Sequence, residues 1–134
     1  MTPAGHPSRT TSARWQDVLA DAEQQLVVAQ NVLALTNSDG NAKPVAAAAV
    51  IAAIGFGDAL SVQCGGTINT QQHDRLPNML QRLLGPDADA AQMTRLGRIL
   101  SKKNAAQYGR THRTYDTARN YLEQTERFTY GHAR

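Results

Sequence analysis

The sequence predicts an all-α protein, a compact bundle of four to five helices. Two observations predict it. Apolar residues recur at steps of three and four in successive segments, and short Gly-, Pro-, Asn- and Asp-rich joints separate those segments. No segment shows sustained two-residue alternation flanked by hairpin turns. The length of 134 residues suits one domain with one core. Residues 1–13 read as a disordered lead-in, 14–130 as the helical domain and 131–134 as a tail.

The first helix is expected from about Arg14 to Leu35, with Thr11 or Ser12 as its cap. Trp15, Val18, Leu19, Ala22, Leu26, Ala29 and Leu33 form its apolar stripe. The segment TNSDGNAK ends it. The second helix starts at Pro44, where a missing N–H leaves no helical bond unmade, and runs to about Cys64. It is apolar nearly all round, which places it at the centre of the domain. Gly55 and Gly57 each cost about 1 kcal/mol against Ala in a helix interior. Their presence there predicts that another helix or a bound group packs against that backbone. Gly65–Gly66 ends this helix.

After the polar run TINTQQHD, a third helix carries Leu76, Met79, Leu80, Leu83 and Leu84. Pro77 belongs in its first turn, which sets its start near His73 or Asp74. Gly85–Pro86 stops it. Asp87 or Asp89 caps a fourth helix that reaches about Lys102. The last helix runs from about Arg113 to Phe128, with Tyr115, Ala118, Leu122 and Thr125 along one seam.

Composition narrows the function classes. Hydrophobic residues make up 41% and charged residues 19%, too apolar for a wholly disordered chain. The single cysteine, Cys64, allows no internal disulfide and no Cys-based zinc site, and fits a reducing, cytoplasmic setting. Its role as core residue or thiol is open. The N-terminus has no apolar region of the secretory type. The apolar stretch from Pro44 to Val62 is Ala- and Gly-rich and broken by Asp58, so it reads as a core helix rather than a membrane span.

Charge is uneven. From Gln92 to Tyr115 stand Arg95, Arg98, Lys102, Lys103, Arg110 and Arg113, with no Asp or Glu among them. Such a stretch attracts phosphates, and nucleic acid becomes a candidate partner. A solvated helix face accounts for part of it, since cations favour helix C-termini. Arg110 and Arg113 stand before a helix, beside its positive end, and point to an anion or an acidic neighbour. Asp58 is the other unusual residue, a carboxylate in the most apolar helix, which needs a partner or hydrogen-bond donors. His112 is the best placed of the four histidines for general acid–base work, and Tyr108 is available to stack on a base. No His spacing or acidic cluster indicates a metal, and no cofactor is expected. Neither Ser61 nor Cys64 stands in a nucleophile pattern.

Two segments carry a family resemblance: AAIGFGDALSVQCGGTINTQQHDRLPNMLQRLL and KKNAAQYGRTHRTYDTARNYLEQTERF. Together they resemble an actinobacterial-type HEPN domain, over roughly residues 14 to 130. The resemblance implies a helical bundle, commonly dimeric. It also implies either a metal-independent ribonuclease of toxin–antitoxin or defence systems, or a non-catalytic binding module. The family's ribonucleases use an Arg followed four to six residues later by His. That spacing occurs here only at Arg127–His132, at the C-terminus, whereas Arg110, His112 and Arg113 stand where the family places its motif.

The expected function is a HEPN-like, non-catalytic helical module. It binds RNA or another phosphate-bearing ligand at a groove formed by Tyr108, Arg110, His112, Arg113 and Asp58. The alternatives are a scaffold that forms a homodimer or holds a protein partner without nucleic acid, and a metal-independent endoribonuclease using His112 and Arg110. No membrane partner is expected.

Overall fold

The computed structural model describes residues 14–37, 40–65, 75–102 and 115–130, together with the backbone of residues 10–11, 68–69 and 131–132. The described residues form an all-α bundle of five α-helices: α1 (Trp15–Leu35), α2 (Lys43–Gln63), α3 (Leu76–Leu84), α4 (Ala90–Ser101) and α5 (Tyr115–His132). A short 3-10 turn, Gly85–Asp87, joins α3 to α4. The one extended pairing among the described residues is an antiparallel bridge of two residues a side, Thr10–Thr11 against Ile68–Asn69.

Central placement of α2 follows from its composition. Thirteen of its 21 residues are buried, six of them alanines. Small side chains on every face let four other helices approach. It is the one described helix long and apolar enough to cross a bilayer, yet 72% of its most apolar window is buried by its neighbours, as in a core helix. The two glycines do what their cost implied. A Cβ on Gly55 would lie 2.8 Å from the Cβ of Ala22 in α1, and one on Gly57 would overlap Leu76 of α3 and approach Leu96 of α4. Each glycine therefore marks a close approach of a neighbouring helix.

α1 runs antiparallel to α2: Trp15, Leu19 and Glu23 share one cavity with Gln63, Leu60 and Phe56. α5 lies across both. The Thr125 hydroxyl donates to the Ala49 carbonyl oxygen of α2 at 3.0 Å, and the Gln30 amide of α1 donates to the Glu126 carboxylate at 2.8 Å. α4 runs antiparallel to α5, tied by Gln92 Nε2 donating to the Arg127 carbonyl oxygen and Arg95 Nε donating to Gln124 Oε1. The core contains Phe128, Leu76, Leu80, Leu96, Val45 and Val50, each under 2% exposed.

The helix ends correct several expectations. α1 begins at Trp15 with Arg14 at the cap position, so neither Thr11 nor Ser12 caps it; Arg14 has no acceptor and makes no side-chain cap bond. Ala42 holds the cap position of α2 and makes no side-chain cap bond, and Asn41, one residue before it, accepts the Lys43 N–H through Oδ1 at 3.1 Å. α3 begins at Leu76 with Pro77 in its first turn, and the expected start at His73 or Asp74 lies outside the described residues. Asp89, not Asp87, caps α4, accepting from the N–H groups of Ala91 and Gln92. α5 continues past Phe128 to His132, because no helix breaker intervenes before Gly131 and Thr129 still packs inward.

Gly97 in α4 differs from Gly55 and Gly57, since a Cβ there meets nothing within 4 Å. Gly97→Ala should raise unfolding stability by about 0.5–1 kcal/mol through helix propensity alone. Urea unfolding of the two proteins checks it. A loss of stability would mean that the outer side of α4 is covered.

Candidate functional site

α4 and α5 meet in a groove that follows directly from their antiparallel packing. Arg98, Ile99 and Lys102 line one side, and Asn120, Tyr121 and Gln124 the other, around a cavity of about 180 Å³. No acidic side chain is among these residues. Lys102 Nζ sits 5.8 Å from the centre of the Tyr121 ring, close enough for a cation–π contact. Arg98 and Lys102 form no ion pair among the described residues, whereas Arg119 pairs with Asp116 at 3.4 Å. The groove therefore presents two cations and two amide side chains next to an aromatic ring. Such a set of donors suits an oxyanion such as phosphate.

The basic stretch seen in sequence divides here by role. Arg95 is turned inward, donating through Nη1 to Gln92 Oε1 and through Nε to Gln124. It locks α4 to α5. Arg98 and Lys102 lie at the C-terminal end of α4, where the helix dipole also favours them. Tyr108, Arg110, His112 and Arg113 lie outside the described residues, as does Lys103. In the chain this segment connects Lys102, which lines the groove, to Tyr115 at the start of α5.

Asp58 is 7% exposed in α2. Burial pushes its carboxyl from 3.8 up to about 7, because the charged form loses its hydration. Its position relative to Arg110, His112 and Arg113 lies outside the described residues.

A second cationic concavity was missed in sequence. Arg75, Asn78, Gln81 and Arg82 line an open depression of about 520 Å³ on α3. Arg75 and Arg82 are seven residues apart, which places them on one helix face. That spacing was readable, but the leucines of the same helix drew the reading to its buried side.

A third concavity has the opposite character. Between the start of α1 and the ends of α2 and α5 lies a cavity of about 370 Å³, walled mostly by Trp15, Leu19, Phe56, Leu60, Phe128 and Tyr130. Glu23, Gln63 and Thr129 are its polar residues. Among the described residues the buried Thr129 hydroxyl has no hydrogen-bond partner, which costs about 1–3 kcal/mol. Its walls come from residues more than a hundred positions apart, so periodicity within one helix could not reveal it.

Among the described residues, no three His, Cys, Asp or Glu side chains gather in a way that could hold a metal ion. Cys64 is half-buried at the C-terminal cap of α2. Compared with protein-family models, curated proteins and solved structures, the chain matches none.

Proposed function

We propose that this chain is a HEPN-like helical module that binds RNA, or another ligand bearing phosphates, without carrying out catalysis. The observation that supports the reading is the α4–α5 groove, whose described lining holds Arg98 and Lys102 beside Tyr121 and contains no carboxylate. The segment running from Lys102 to Tyr115 adds Lys103, Arg110, His112 and Arg113 to the same part of the chain. Phosphates would pair with the cations, and Tyr108 is a candidate to stack on a base. Such binding is expected to be weakly sequence-selective, because backbone charge supplies most of it.

Fluorescence anisotropy with labelled single-stranded RNA tests this. Affinity should fall as salt rises, with log K against log salt sloping by about −0.7 for each phosphate neutralised. The double variant Arg98→Glu/Lys102→Glu should bind at least about tenfold more weakly and show a shallower slope. Binding indifferent to salt, or unchanged in the double variant, defeats the reading. Incubating labelled RNA in EDTA with the native chain and with His112→Ala separates the ribonuclease alternative. Cleavage that the substitution abolishes would favour it.

A second reading has its own support. Val27, Val28 and Leu35 of α1 and Ile51 of α2 are exposed. Exposed apolar side chains favour a scaffold that pairs with itself or with another protein. Sedimentation equilibrium together with the RNA titration separates the two readings: a dimer with no RNA affinity at low salt leaves only the scaffold.

A further inference from the structure

We infer that the cavity between α1, α2 and α5 is a binding site for a small organic amine carrying an aromatic or compact apolar body, separate from the cationic groove. Among its described lining residues four are rings, Trp15, Phe56, Phe128 and Tyr130, and Glu23 is the one that is charged. The chain as a whole is basic, with a net charge of +3, so a concavity whose described lining holds a carboxylate and no cation differs in character from the cationic groove. Ring faces carry negative electrostatic potential and attract ammonium groups. A carboxylate at the edge of an aromatic cavity adds a charged hydrogen-bond acceptor for the same group. Anionic ligands, by contrast, meet repulsion here.

Size sets the second constraint. The volume of about 370 Å³ lies at the low end of the small-molecule range of roughly 300–1,000 Å³. It accommodates a ring with a short chain and not a peptide helix. An amine with an apolar body meets both features: rings for the body and Glu23 for the charge.

Trp15 is the single tryptophan of the chain and lines the cavity, so its emission reports occupancy directly. The probes are 2-phenylethylamine, 2-phenylethanol and 3-phenylpropionate, which share a phenyl ring on a short chain and differ in charge. The expected result is saturable quenching by the amine with half-saturation on the order of 0.1–1 mM. The alcohol should bind about fivefold more weakly and the carboxylate more weakly still. Glu23 is exposed, so Glu23→Gln leaves the fold intact; it should bring the amine down to the alcohol's affinity and leave the alcohol unchanged. No saturable response to the amine, equal affinity for amine and carboxylate, or an unaltered preference in Glu23→Gln would each overturn the inference. The RNA titration is independent of all three, so the groove and the cavity stand or fall separately.

Discussion

Gly55→Leu should lower unfolding stability by about 3 kcal/mol or more, the largest loss expected from any single change on the surface between α1 and α2. A bare Cβ at this position already lies 2.8 Å from the Ala22 Cβ and 3.3 Å from the Ala22 Cα. The Ala22 methyl is not the free end of a flexible side chain. It cannot swing aside, so α1 as a whole must move. That movement loosens the buried stripe of Ala22, Leu26 and Ala29 against α2. Gly55→Ala should show a smaller version of the same conflict. Helix propensity favours alanine by about 1 kcal/mol, and the forced shift of α1 outweighs it, leaving a net loss of about 1 kcal/mol. Gly97→Ala serves as the control, because it has the same propensity gain and meets nothing. Urea unfolding of the three variants reads the difference. If Gly55→Ala stabilises the protein as much as Gly97→Ala does, the two helices do not approach as closely as described.

Gly55 also shows what was legible before any coordinates. A glycine in the middle of an otherwise apolar helix is costly, and that cost pointed to a close neighbour without saying which. Helix positions, the central place of α2 and the inward seam of α5 follow from periodicity and end chemistry, which act within about four residues, while the choice of Asp89 over Asp87 as the cap of α4 does not. The groove between α4 and α5 was half legible. The run from Arg95 to Arg113 announced cations, but nothing in the spacing separates Arg95, held by Gln92 and Gln124, from Arg98 and Lys102, which border the cavity. That distinction depends on which face of α4 meets α5. The aromatic cavity was not legible at all. Trp15, Phe56 and Phe128 are ordinary core-stripe residues within their own helices, and only the crossing of three helices leaves a space between them.

Asp58→Asn should make the protein more stable at pH 8 and leave it unchanged at pH 4. The carboxyl is held at about 7 by burial, against 3.8 for a free aspartate side chain. Its folded value is therefore raised, and the sign follows. Below about pH 4 the group is protonated in both states and its contribution to stability is at its fullest. As pH rises from about 4 to 7, the unfolded chain ionises Asp58 freely while the folded chain resists, so stability falls by up to about 1.4 kcal/mol per pH unit. Above about 7 the folded form ionises too, and the loss levels off. Asparagine keeps the shape and carries no charge, which removes this slope. The gain for Asp58→Asn at pH 8 should be about 2–4 kcal/mol, raising Tm by roughly 5–15 °C in a domain of this size. The difference between the two proteins is the quantity to follow from pH 4 to pH 8, because the remaining carboxylates cancel in it. The two curves should coincide at low pH and separate steadily until about pH 7. A variant less stable than the native chain at pH 8 would reverse the sign. It would mean that the folded protein favours the Asp58 carboxylate, as it would if a cation were paired with it. That outcome would return Asp58 to the phosphate-binding machinery as an orienting partner for a basic side chain. The expected outcome instead leaves it a buried acid, uncharged below neutral pH, in the helix around which the other four pack.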